Sequence, residues 1–135
     1  MTKPSKPAVL SIRNAKIGDV TAISALVAKV YKDMPAYTPG MLRGQIAAFP
    51  DGQFVVEYAD EIVGYAAGFR IDEKTAMSPH TWTQITGGGY AARHDPLGDW
   101  FYGMEVCVDP DRRRLRIGQR LYDARRDLCE AENLR

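Results

Sequence analysis

Residues 106–121, Val-Cys-Val-Asp-Pro-Asp-Arg-Arg-Arg-Leu-Arg-Ile-Gly-Gln-Arg-Leu, hold the most chemically informative spacing in the chain. A strand-like run stops at Asp109-Pro110, arginines crowd the next turn, and a helical pattern opens at Gly118. The first backbone N–H groups of a helix lack internal partners. Together with the helix dipole they attract anions. Gly118 permits an approach that a side chain would block. The guanidinium forks of Arg112, Arg113, Arg114, Arg116 and Arg120 match phosphate oxygens in two-pronged fashion. An arginine-rich turn is as often a solvated face, but the strand-turn-glycine-helix context favours a bound diphosphate.

The remaining reactive residue types point nowhere so specific. Cys107 and Cys129 match no disulfide framework or zinc spacing and are expected to be buried thiols. Cys107 has no neighbouring histidine and is not expected to act as a nucleophile. His80 and His94 lack a metal-ligand spacing, so no metal is expected. The loop that carries both histidines could cover an acceptor cleft, with Trp82 and Tyr90 as walls and a histidine as proton relay, but packed aromatics and two surface histidines are the favoured reading. Gly87-Gly88-Gly89 lacks the strand and lysine of a nucleotide loop and is expected to be merely flexible.

The elements that must carry these residues follow from composition and periodicity. The chain has 135 residues, 45% hydrophobic, with 18 Lys and Arg against 17 Asp and Glu. That is one globular domain, not a polycation seeking nucleic acid. No apolar stretch follows the basic N-terminus and none is long enough to span a bilayer, so a cytoplasmic protein without membrane partners is expected. Residues 1–7 read as a disordered tail. Residues 10–13 alternate like a strand. Asp19 reads as the N-cap of a helix with Val20, Ile23, Val27 and Val30 on one face. Thr38-Pro39 opens a second helix bearing Leu42, Ile46 and Phe49, closed by Pro50. Residues 53–58 and 62–71 form a β-hairpin around 59–61, and 72–99 read as a long irregular connection. Strand 100–108 should place Tyr102, Met104, Val106 and Val108 on one face and Gly103, Glu105 and Cys107 on the other. A last helix runs from Gly118 to the C-terminus with Ile117, Leu121, Ala124, Leu128 and Ala131 as its stripe. In an α/β domain such a helix normally leads back to a strand. The chain stops first, without a C-cap glycine, so a fragment with its C-terminal half missing is expected.

The stretch Val108-Asp109-Pro110, Arg113, Gly118 resembles motif A of the GNAT (Gcn5-related N-acetyltransferase) superfamily, and the order of elements over residues 8–135 is similar too. Arg116 stands where that family usually has glycine, and the turn should still form if Arg116 avoids positive φ. "GMEVCVDP" and "RLRIGQRLYDARR" also look like GNAT domains that precede a carbon-nitrogen hydrolase domain. The resemblance implies a mixed α/β fold with a mostly antiparallel sheet flanked by helices. It implies acyl transfer from acetyl-CoA or another coenzyme A thioester to an amine. On these residues, the loop amides of Arg113, Arg114, Leu115, Arg116, Ile117, Gly118 and Gln119 would hold the diphosphate. The backbone of Val106, Cys107 and Val108 would pair with the pantetheine arm. Glu105 is the candidate base, its basicity raised in a partly apolar cleft, against the alternative of a solvent-facing or salt-bridged strand glutamate; no acid is assigned. The expected partners are a small-molecule or peptide amine, a homodimer mate and an attached hydrolase domain. The alternative reading is a catalytically weak coenzyme A-binding module that regulates that hydrolase. An exposed sheet edge and an exposed stripe on the last helix are also expected.

Overall fold

The computed structural model describes residues 9–32 and 37–135, with 113 and 114 described by their backbone only. The N-terminal tail at 1–7 lies outside the described residues. Strand β1 spans Leu10–Asn14 and leads to helix α1, Val20–Val30. Asp19 holds the N-cap position of α1, but its carboxylate does not cap the helix. It accepts instead from Arg13 and from the Lys16 N–H, because a strong cation within reach competes better than a helix amide. Helix α2, Pro39–Ala48, starts as its sequence predicts: the Thr38 hydroxyl accepts the Met41 N–H and Pro39 occupies the first turn.

Strands β2, Phe54–Tyr58, and β3, Glu61–Ile71, pair antiparallel across Ala59 and Asp60, both at positive φ. That is the backbone a two-residue hairpin requires. After β3 the connection is less irregular than its composition predicts. Two short helices, α3 (Glu73–Met77) and α4 (Trp82–Ile85), are capped by the side chains of Asp72 and Thr81. The glycine triplet is a left-handed turn with φ of 62°, 75° and 93°. It is tethered rather than merely flexible, since buried Gln45 donates to the Gly89 carbonyl at 2.7 Å.

Strand β4, Trp100–Val108, completes an antiparallel sheet in the order β1-β2-β3-β4. One face packs on α1 and α2 through Val55, Tyr65, Phe69 and Cys107. The other packs on α5, Ile117–Ala131, through Val56, Ala66, Ile117 and Leu121. The stripe of α5 therefore does not stand exposed: Ile117 and Leu121 are buried, and Leu128 packs on the larger cluster. The expected alternation along β4 also fails at one point. Ala67 pairs with Glu105 but Gly68 pairs with Gly103, so Met104 is an extra, bulged residue. A bulge shifts which side chains share a face. Tyr102, Met104 and Cys107 consequently belong to the α1 side, and Val106 and Val108 to the α5 side.

Helix α5 does not continue to the C-terminus. Asn133 takes φ 54°, Leu134 N–H reaches the Cys129 carbonyl and Asn133 N–H the Glu130 carbonyl. This is a Schellman closure in which asparagine does the work of the absent glycine. Arg135 then exchanges hydrogen bonds with Asp99 and Phe101, beside the start of β4.

Candidate active site

The turn from β4 into α5 is built by Asp109 and Pro110. Buried Asp109 accepts the Asp111 N–H, and its own N–H bonds the Val63 carbonyl of β3. Lys29 of α1 reaches Asp109 at 2.9 Å and Asp111 at 2.7 Å, clamping the turn from the opposite side. Burial pushes the Asp109 carboxyl up, but the Lys29 ammonium and the Asp111 N–H outweigh it and hold it below its usual range. Residues 110–115 wind as a 3-10 turn and Arg116 follows at φ 54°, ψ 40°. The turn thus forms with Arg116 at positive φ, the condition under which its formation was in question. The turn needs a left-handed residue, and here an arginine supplies it where glycine is the easier choice.

The side chain of Arg116, the N-cap residue, makes no capping hydrogen bond to α5. The amides of Ile117, Gly118 and Gln119 therefore start the helix without internal acceptors. A Cβ built on Gly118 would meet only Val108 Cγ2, at 3.9 Å. Among the described residues nothing forbids a side chain there. Two of the turn's described arginines are engaged elsewhere. Arg112 lies over the Tyr58 ring, 5.6 Å from its centre, and 3.9 Å from Glu61. Arg120 donates to the Leu115 carbonyl. Arg116 is exposed, and Leu115 packs against the smaller core cluster. The side chains of Arg113 and Arg114 lie outside the described residues.

The bond between Asp109 N–H and Val63 fixes the parity of the β3–β4 ladder. Paired positions alternate between facing the partner strand and facing away. The backbone of Cys107 thus turns toward β3, while the groups of Val106 and Val108 line the outer edge of the sheet. Of the three strand residues singled out from sequence, two have main-chain groups available to an extended guest.

Glu105 lies just past the bulge, half-buried on the α1 side. Its carboxylate accepts the Tyr31 hydroxyl at 2.6 Å and the Tyr37 hydroxyl at 3.0 Å. Burial pushes both phenols well above their ordinary range, with the adjacent carboxylate adding to the effect, so both remain donors. Trp82 comes over from α4: its ring centre lies 6.0 Å from that of Tyr37, and its indole N–H points at the Met104 carbonyl, 3.4 Å away. Trp82 is 40% exposed and is not a fully packed core aromatic. Tyr31 was within reach of sequence reasoning, since it continues the α1 stripe four residues beyond Val27. Tyr37 sits between helices where no periodicity operates.

Other sequence candidates fall elsewhere. His94 is not a free surface residue: it stacks on Phe49 at 4.6 Å and its Nδ1 accepts the Arg70 N–H. Its pKa is lowered, by burial first and then by the Arg70 charge. Cys107 is buried as expected, and burial pushes its thiol up to about 12, far from a nucleophile's range. Cys129 is only half-buried. Among the described residues, no group of His, Cys, Asp and Glu could hold a metal, and no helix is long and apolar enough to cross a membrane.

Comparison with known proteins fits this geometry. "Probable hydrolase YhcX" of Bacillus subtilis is 38% identical over 124 residues, which are 92% of this chain and 24% of that protein. The loading GNATL domain of CurA from Lyngbya majuscula superposes with a TM-score of 0.76 at 25% identity, covering 90% of this chain and 58% of that one. The GphF GNAT-like decarboxylase, solved with isobutyryl-CoA, gives 0.73 at 26% identity, covering 84% and 55%. The chain thus spans about a quarter of its curated relative and somewhat over half of these two structures. A profile of the acetyltransferase (GNAT) family matches residues 23–135. With its antiparallel sheet, loop-helix junction and motif A spacing, the chain belongs to the GNAT family.

Proposed function

We propose that this chain binds an acyl-coenzyme A and that its acyl group passes directly to an amine held beside Glu105. The observation that carries the reading is the set of amides at Ile117, Gly118 and Gln119, which receive no capping bond from the Arg116 side chain, with open space among the described residues where a Gly118 side chain would stand. Acyl-coenzyme A, when bound, would supply a thioester, an acyl group already activated for attack by nitrogen; the attack would release coenzyme A as its thiolate, which takes a proton from solvent. The amides at 116–119 hold its diphosphate, and the outward main-chain groups of Val106 and Val108 align its pantetheine arm as an added strand would. Glu105 takes a proton from the incoming ammonium, and Tyr31 and Tyr37 fix the carboxylate's direction. Trp82 and Tyr37 screen the cleft from water.

The names of the two structural relatives raise acyl loading and decarboxylation as other outcomes on the same fold. Glu105 argues for an amine. A carboxylate at the reacting end attracts an ammonium and repels the free carboxylate that an acyl chain carries before decarboxylation. A second reading, a coenzyme A-binding module serving an attached carbon-nitrogen hydrolase, draws on two observations. One is the strained Arg116 in the cradle. The other is the similarity to "Probable hydrolase YhcX", of which this chain covers a quarter.

Calorimetry with acetyl-CoA and with coenzyme A tests the cradle: saturable binding is expected, and no heat at millimolar ligand refutes it. Glu105→Gln should cut transfer to a responsive amine by about 10²–10⁴-fold with coenzyme A affinity unchanged. Binding without transfer across a panel of alkyl amines and peptide N-termini favours the module.

A further inference from the structure

We propose that Arg125 is a positioning residue for Glu105: it pins the bulge in β4, and the bulge holds the Glu105 carboxylate against Tyr31 and Tyr37. The inference rests on the reading of Glu105 as the base, although its geometry can be tested without any turnover.

Arg125 projects from α5, on the face of the sheet opposite the Glu105 side chain. Its Nη2 donates to the Ala67 carbonyl at 2.6 Å and also to the Glu105 carbonyl. Ala67 and Glu105 are the last residues paired in register before the slip to Gly68 and Gly103. One guanidinium nitrogen therefore clips the two strands together where the ladder breaks. The ring centres of Phe101 and Tyr122 lie 5.6 Å and 5.9 Å from the guanidinium carbon. Gly103 makes the room: a Cβ there would stand 2.8 Å from Nη1. Arg125 Nε is buried with no hydrogen-bond partner among the described residues.

A cation held this way, with carbonyls in place of a carboxylate, is costly to bury. A methionine would pack as well if packing were all that the position required. The guanidinium does what an apolar chain cannot, supplying donors to carbonyls at a break in the ladder. The bulge in turn lets Met104 and Cys107 both stay buried on the α1 side, with Glu105 between them. A regular strand would turn one of those two over. With both flanking side chains anchored, slack created by losing Arg125 falls on Glu105.

The test uses the protein with 13Cζ-labelled tyrosine and follows the Tyr31 and Tyr37 ring resonances by NMR. Glu105→Gln defines their positions when the carboxylate is absent. Arg125→Met is expected to move both resonances toward the Glu105→Gln positions while that of Tyr58 stays in place. Gly103→Ala, whose new methyl displaces only the flexible end of Arg125, should do the same in a chain that still melts cooperatively. Methylguanidinium added to Arg125→Ala should restore the wild-type resonances, which a lost packing contact would not do. Unchanged tyrosine resonances in a folded Arg125→Met or Gly103→Ala variant overturn the proposal. Unfolding of both variants also overturns it, in favour of a general packing role. If Glu105→Gln retains full transfer, the base assignment fails, and the NMR outcome still decides what Arg125 does.

Discussion

Arg116 is the residue at which the backbone and the side-chain type disagree most, and replacing it has a calculable sign. Its φ of 54° and ψ of 40° lie in the left-handed region. That region costs an L-residue about 1–2 kcal/mol relative to right-handed conformations. Its side chain is exposed, so truncation deletes little packing. Arg116→Gly removes the conformational cost. Glycine's greater freedom in the unfolded chain returns about 0.5–1 kcal/mol of it. The net expectation is a gain of about 0.5–1 kcal/mol, or a rise in Tm of roughly 2–3 °C for a chain of this size. Arg116→Val should move the other way by about 1 kcal/mol or more, because a branched Cβ tolerates positive φ least. Thermal unfolding followed by circular dichroism without ligand measures both. The Arg116 N-cap carbonyl still accepts the Arg120 N–H in either variant, so the comparison isolates the dihedral. A glycine variant less stable than wild type, or a valine variant as stable, would refute the reasoning.

Two further expectations concern the core around the site. Burial raises the pKa of the Tyr31, Tyr37 and Tyr65 phenols above 10.0 and pushes Cys107 from 9.0 to about 12. In the unfolded chain these groups release their protons first, so the stability they contribute is complete below about pH 9 and drains away as pH rises. The urea midpoint should hold level from neutrality to about pH 9 and fall steadily above it, less steeply in Tyr65→Phe; a flat midpoint to pH 11 contradicts this. Gln45→Leu should strand the buried Tyr65 hydroxyl and the Gly89 carbonyl. The expected loss is about 2–4 kcal/mol, with a Tm drop of roughly 6–12 °C. A loss below about 1 kcal/mol would mean that water already serves these groups.

The strands, the α2 cap at Thr38-Pro39 and the strand-turn-helix at Gly118 were legible because each is written in neighbouring residues. Alternation, capping chemistry and a glycine at a helix start act over a few positions. What misled was local information overruled at a distance. Asp19 has the right type for a cap, but Arg13 claims its carboxylate. Arg112 sits in the right turn, but the hairpin at Tyr58 and Glu61 draws it away. Asn133 closes α5 without the glycine that was sought, because asparagine also tolerates left-handed backbone.

By itself, then, the sequence determined the family, the strands and the three longer helices, all consequences of short-range backbone preferences. The tertiary structure alone decided what surrounds Glu105. The bulge at Met104 depends on β3 and on Arg125 from the far face of the sheet. The two hydroxyls come from Tyr31 and Tyr37, distant in the chain. A carboxylate's chemistry is set by what stands within a few ångströms of it, and chain folding, not adjacency, chooses those neighbours.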